Sequence, residues 1–248
     1  IYSKYATLGP FSKTQRYNDL SRTSIDYEYS TNFIKKFKKD GHKLTVDGSF
    51  SQNNDLENSI ITGTGIEPVK SFISSESTYN NQKQNRNTIQ SDYVLPIGKN
   101  SQFEAGFRGN YLTLLSEYRV EEDLLGNSTY TVNTNFTNTL EYKENVSALY
   151  SQFGSKINKF SYLFGMRFED SKIVINQLTT QDFNTKKYNN FFPSAFLTYE
   201  ISDGSSISLN YSKRITRPRG RFINPFSSYS SNINLFVGNP DLDPSYSD

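Results

Sequence analysis

The chain has 248 residues, enough for one or two ordinary domains, yet only 34% of it is hydrophobic while aromatics reach 15%, with 18 Tyr and 19 Phe. So many rings exclude a disordered chain and suit surfaces with one apolar and one wet side, as at a membrane interface. A net charge of +2 gives no global field for nucleic acid, and the lack of cysteine removes disulfides, thiol nucleophiles and Cys-ligated metals. No run of about 18 apolar residues offers a membrane-spanning helix, and Ile1 to Pro10 has no apolar signal-peptide core.

Side chains on a strand alternate between faces, and that alternation recurs in at least eight places. Ile25, Tyr27 and Tyr29 oppose Asp26, Glu28 and Ser30. Leu44, Val46 and Phe50 oppose Thr45, Asp47 and Ser49. Ile89, Tyr93, Leu95 and Ile97 oppose Gln90 and Asp92, with Val94 an exception. Phe103, Ala105, Phe107 and Tyr111 oppose Gln102, Glu104, Arg108 and Asn110. Val146, Ala148 and Tyr150 stand against Ser147 and Ser151, although Leu149 leaves that facing ambiguous. The clearest case follows: Phe160, Tyr162, Phe164, Met166 and Phe168 on one side, Ser161, Gly165, Arg167 and Glu169 on the other. Ala195, Leu197, Tyr199 and Ile201 then oppose Ser194, Thr198 and Glu200, with Phe196 an exception, and Ile207, Leu209 and Tyr211 oppose Ser206, Ser208, Asn210 and Ser212. No segment has a capped 3.6-residue period, so helix is minor.

The connections alternate in length. Lys35–His42, Gly98–Asn100, Gly154–Lys159 and Ser202–Ser205 are short and carry the Gly, Asn or Asp of hairpin turns. Gln52–Arg86, Ser116–Asn138 and Ser171–Asn189 read as long polar loops. A compact soluble domain rarely tolerates such loops, whereas an outer-membrane barrel expects tight turns on one side and long loops on the other. The pattern therefore predicts an all-β, antiparallel up-and-down transmembrane β-barrel. A soluble β-sandwich that binds glycans through exposed tyrosines is the rival, and extraction without detergent would identify it.

No catalytic site, metal site or cofactor is expected. His42, the lone histidine, sits in a Lys-rich turn and reads as a solvated turn residue. Glu117, Glu121 and Glu122 read as solvated loop carboxylates. Gly63-Thr64-Gly65 fits no nucleotide-binding fingerprint. The sequons at Asn127, Asn135, Asn145 and Asn210 are what chance gives in a chain this rich in Asn, Ser and Thr. Arg214, Arg217, Arg219 and Arg221 read as arginines that face a watery lumen and pair with carboxylates or loop carbonyls, rather than as a contact for an anion or nucleic acid.

The C-terminal part adds a resemblance. Asn210-Tyr-Ser-Lys-Arg-Ile-Thr-Arg-Pro218, then Ile223-Asn-Pro-Phe226, then Gly238-Asn-Pro-Asp-Leu-Asp-Pro244 resemble, in that order, the barrel of TonB-dependent outer-membrane receptors of the Bacteroidetes type. Phe191-Phe-Pro-Ser194 and Gly165-Met-Arg-Phe-Glu169 also look like strand segments of that family. The resemblance spans about Glu144 to Asp248. It implies that residues 1–248 are part of one barrel domain, about eight strands of a 22-stranded wall, with no plug domain recognisable. It further implies the outer membrane of a Gram-negative bacterium and import of chelated iron, cobalamin or a glycan. The expected partners are outer-membrane lipid, the TonB energy complex acting through a plug, and a SusD-like surface lipoprotein, with no nucleic acid. Glu104, Arg108, Arg167, Glu169, Asn210 and Arg214 are the residues expected to face lumen or plug. A structural or secretion-associated barrel without energised transport is the alternative.

Overall fold

The computed structural model describes residues 2–4, 12–218, 220–224, 228–229, 235–236 and 238–248. All eight alternating stretches lie in strands, each longer than the stretch that signalled it. In chain order the strands are β1 (Tyr2–Lys4), β2 (Ser12–Lys36), β3 (Lys43–Glu67), β4 (Ser71–Ile97), β5 (Ser101–Asp123), β6 (Thr131–Val132), β7 (Asn138–Ile157), β8 (Phe160–Gln177), β9 (Asp182–Ser202), β10 (Ser205–Ser212) and β11 (Arg214–Thr216). A one-turn helix α1 (Gly220–Ile223) and the short strands β12 (Ser228–Tyr229), β13 (Leu235–Phe236) and β14 (Ser245–Ser247) complete the set.

Ten strands form one sheet in the order β1-β2-β3-β4-β5-β7-β8-β9-β10, with β6 beside β5; β11 pairs β14, and β12 pairs β13. Every long strand is antiparallel to its sequence neighbour, so the topology is up-and-down. Among the described residues the other two sheets are pairs of two- or three-residue strands, too small to cover this one as a sandwich requires, and the ten-stranded sheet does not close on itself. It is the partial wall of a transmembrane β-barrel.

The register builds a lipid-facing surface. Leu95, Phe103, Phe153, Phe164, Ala195 and Tyr211 are successive cross-strand partners and form one row across six strands. Phe107, Leu149, Phe168 and Phe191 form the second row on, past Ala105, Ser151, Met166 and Pro193, and there the Phe168 and Phe191 rings lie 5.0 Å apart. Two rows further on stand Tyr111, Asn145, Lys172 and Lys187, which end the apolar band. From Phe103 to Tyr111 or from Phe160 to Phe168 the band runs about nine residues, the length a tilted strand needs to cross a bilayer core.

This register settles the facing of β7. Tyr150 is the direct partner of Arg167, so Val146, Ala148 and Tyr150 lie on the charged face, and Leu149, 61% exposed, lies on the apolar one. The strand carries apolar residues on both faces, and only its partners Phe107 and Phe168 decide which meets lipid.

The tight turns fall where predicted: 37–42, 98–100, 158–159 and 203–204. His42 departs from the solvated reading. Its ring stacks on Phe37 at 4.1 Å and its Nε2 lies 2.9 Å from the Tyr93 hydroxyl, an aromatic cluster at the turn end of the band.

The long polar loops, by contrast, are mostly strand. Gln52–Arg86 is a continuous ladder that turns only at 68–70, and Ser171–Asn189 turns at 178–181. Ser116–Asn138 keeps β5 paired to Asp123 and leaves 124–137 as the connection, so Glu117, Glu121 and Glu122 are strand residues. Water wets much of both faces beyond the band, which erases the apolar alternation. Side-chain bonds such as Ser59 Oγ to Thr78 Oγ1 at 2.7 Å and Asn81 Nδ2 to Glu117 Oε2 at 3.1 Å support the ladder instead. Asp123 ends β5 by accepting N–H bonds from Leu125, Gly126 and Ser128. Burial raises its pKa, but those bonds outweigh it and hold the carboxyl below its ordinary value.

Candidate functional site

The face opposite the apolar band carries the chemistry. At its centre Tyr150, Arg167, Glu169 and Asp92 form a chain of polar contacts across four strands. Arg167 Nε donates to Glu169 Oε1 at 2.6 Å, and its guanidinium sits 5.7 Å from the centre of the Tyr150 ring. The Tyr150 hydroxyl donates to Asp92, which also accepts Gln90 Nε2 at 2.7 Å. Gly106 makes this possible: a Cβ there would come within 2.5 Å of the Tyr150 ring, which lies across the bare backbone.

The segment after β11 folds back onto this same face. Arg217 Nη2 donates to Glu169 Oε2 and to Ser171 Oγ, both at 2.6 Å. Ile223, 2% exposed, inserts among Leu140, Tyr142, Ile173 and Ile175 on the inner side of β7 and β8 beyond the band. Asp243 accepts the Tyr188 hydroxyl at 3.1 Å and the Lys186 ammonium at 3.3 Å, which together hold its pKa below the ordinary carboxylate value. Pro218 stands two residues beyond the end of β11 and cannot extend the ladder. Gly238 is required by close approach rather than by an unusual turn, since a Cβ would lie 2.3 Å from the Asn224 carbonyl oxygen.

Two cavities flank Arg167. One of about 300 Å³ is lined by Gln90, Arg108, Tyr150, Gln152, Arg167 and Ser194. The other, about 160 Å³, is lined by Arg86, Asn110, Glu144, Arg167, Glu169 and Arg217. Of the residues singled out from sequence, Arg108, Arg167 and Glu169 are thus brought together. Glu104 lies nearer the tight turns, where Gln152 Nε2 donates to it at 2.5 Å. Asn210 stands opposite Phe196 on β10, and Arg214 pairs across to Ser247 with its Nε 3.2 Å from Ser212 Oγ; neither lines these cavities. Arg219 and the Arg221 side chain lie outside the described residues.

Sequence reasoning missed Tyr150 and Gln152 as members of this face and did not single out Asp92 and Gln90 as site residues. The alternation of β4 already put Gln90 and Asp92 on the polar side. Tyr150 needed the register, and Arg217 needed the return of a segment 48 residues distant from Glu169.

The arrangement can bind, orient and hold charge; it contains no nucleophile poised beside a base. Among the described residues no group of His, Asp and Glu could hold a metal ion. The family model of the outer membrane protein beta-barrel family matches residues 35–248. No curated protein matches in sequence. Among solved structures, the chain is similar to the ferric citrate transporter FecA in its unliganded form, at 15% identity and a TM-score of 0.49. That alignment covers 81% of this chain and 28% of the transporter.

Proposed function

Because the chain belongs to the outer membrane protein beta-barrel family, we propose that it forms part of the wall of a TonB-dependent transporter importing a bulky ligand across the outer membrane. The observation that carries the reading is the division of one sheet into an apolar outer band and an inner face of hydrogen-bonded charges. Such a wall encloses water, and its inner charges act by hydrogen bonding and ion pairing rather than by covalent chemistry, so the protein is not an enzyme. The TonB-dependent part rests on the motif order between Asn210 and Pro244; within it Asn210 stands near the end of β10 and Ile223 docks on the inner face.

The edges support a larger wall. Among the described residues, β2 pairs for most of its length only with β3, and β10 pairs only with β9. Open strand edges are not tolerated in hydrocarbon, so further strands complete the barrel, to 22 on the resemblance. The ligand class is chelated iron, cobalamin or a glycan, with a plug driven by the inner-membrane complex of a Gram-negative cell of the Bacteroidetes type. The 124–137 connection and the β3–β4 hairpin tip, on the side away from the tight turns, are the surface a SusD-like lipoprotein would contact.

The test is growth of strains with and without the full-length gene on ferric chelates, cobalamin or glycans as limiting nutrient, with the TonB complex intact or deleted. Transport predicts a gene-dependent advantage on one of these that vanishes with the complex. An advantage that survives its deletion points to a structural or secretion-associated barrel.

A further inference from the structure

We propose that the inner face holds a binding site for an anionic group, a carboxylate or phosphate of the transported solute, centred on Arg108 and Arg86. The proposal rests on the reading of this face as the lining of a transport path.

Two carboxylates, Glu144 and Glu169, line the two cavities, and Asp92 bonds to Tyr150 and Gln90 of the lining; each of the three is engaged. Asp92 accepts Tyr150 and Gln90, Glu144 accepts the Tyr142 hydroxyl at 2.7 Å, and Glu169 accepts Arg167 and Arg217. Arg108 and Arg86 make no hydrogen bond and no ion pair, and both are exposed on this face. Two guanidiniums are therefore left with open forks.

Their surroundings favour an anion of modest size. Arg108 shares the cavity of about 300 Å³ with Arg167, Gln152 and Ser194, at the lower limit of volumes that hold small ligands. Gln152 and Ser194 supply further donors. Arg167 is fixed by Glu169 and by the Tyr150 ring, so a second positive group stands in place without reorganising. Arg86 borders the adjoining cavity, which also shares Arg167. Guanidinium forks match carboxylate and phosphate in a way that an ammonium does not. A solute with one anionic group meets Arg108; one with two or more also reaches Arg86.

The experiment uses full-length protein purified from outer membranes in detergent and titrated calorimetrically with inorganic pyrophosphate at low salt. R108Q should weaken binding about tenfold, the worth of one charge-assisted hydrogen bond, and R86Q by a smaller factor. R119Q removes a charge from the opposite face, where Arg119 pairs with Glu121, and should bind like the parent. Heat-modifiable gel mobility checks that each variant is folded. No binding by the parent, or equal weakening by R119Q, overturns the site. So does binding that appears only once the plug is removed, because a protein segment then occupies the arginines. Silence in the titration beside energy-dependent growth sinks the anion site alone and leaves the transport reading standing.

Discussion

Glu169 is 6% exposed, and both of its carboxylate oxygens are taken by guanidiniums from different parts of the chain. Removing one member of a buried ionic cluster leaves its partners uncompensated, at a cost of about 3 kcal/mol. Glu169→Gln should therefore free the segment between Arg217 and Asp243 from the wall, read as faster chymotryptic cleavage after Phe222 and Leu242. Arg217→Gln should do less, because Arg167 still neutralises Glu169; equal cleavage of the two variants would show that Ile223 rather than the charges does the pinning. The alternation around Phe164 made Arg167 and Glu169 legible as inner residues. Arg217 was legible only as a cation expecting a carboxylate, since nothing local to residue 217 names a partner on β8. Tyr150 stayed ambiguous for a related reason: with Val146 and Ala148 on one side and Leu149 on the other, β7 names no lipid face until its neighbours across the sheet are known.

Strand existence was readable; strand length was not. Each band segment announced itself because one face must be apolar and the other polar, a constraint that ends where lipid ends. Beyond it, stretches such as Gln52-Asn-Asn-Asp55 and Asn80-Asn-Gln-Lys83 look like loop by composition, yet they pair residue for residue with their neighbours. Local propensity favours turns for Asn, and the cross-strand ladder overrides it. If the outer half of the β3–β4 hairpin contributes nothing to crossing the membrane, it can be removed. Leu56 and Asn81 are direct partners, so replacing residues 57–80 by Asn-Gly should close a two-residue turn at that level. The shortened protein should still fractionate with the outer membrane and keep heat-modifiable mobility. Loss of both would mean that the extension guides folding of the wall.

At the scale of the whole molecule one distinction governs the rest: the ring-bearing face meets acyl chains and the opposite face meets water. Phe164 sits in the middle of the six-strand row and is 51% exposed, whereas Arg167, three residues on, belongs to the inner network. A cation facing lipid near the midplane costs roughly 2–4 kcal/mol. Phe164→Arg should accordingly lower the fraction of protein assembled in the outer membrane. Arg167→Ser should assemble normally, because Arg217 still pairs with Glu169 at 2.6 Å and the inner face stays hydrated. The two variants alter neighbouring positions on one strand, so differences in expression or local propensity cancel, and the comparison isolates facing. Assembly that survives Phe164→Arg but fails with Arg167→Ser would turn the sheet inside out, and with it the anion site and the transport path.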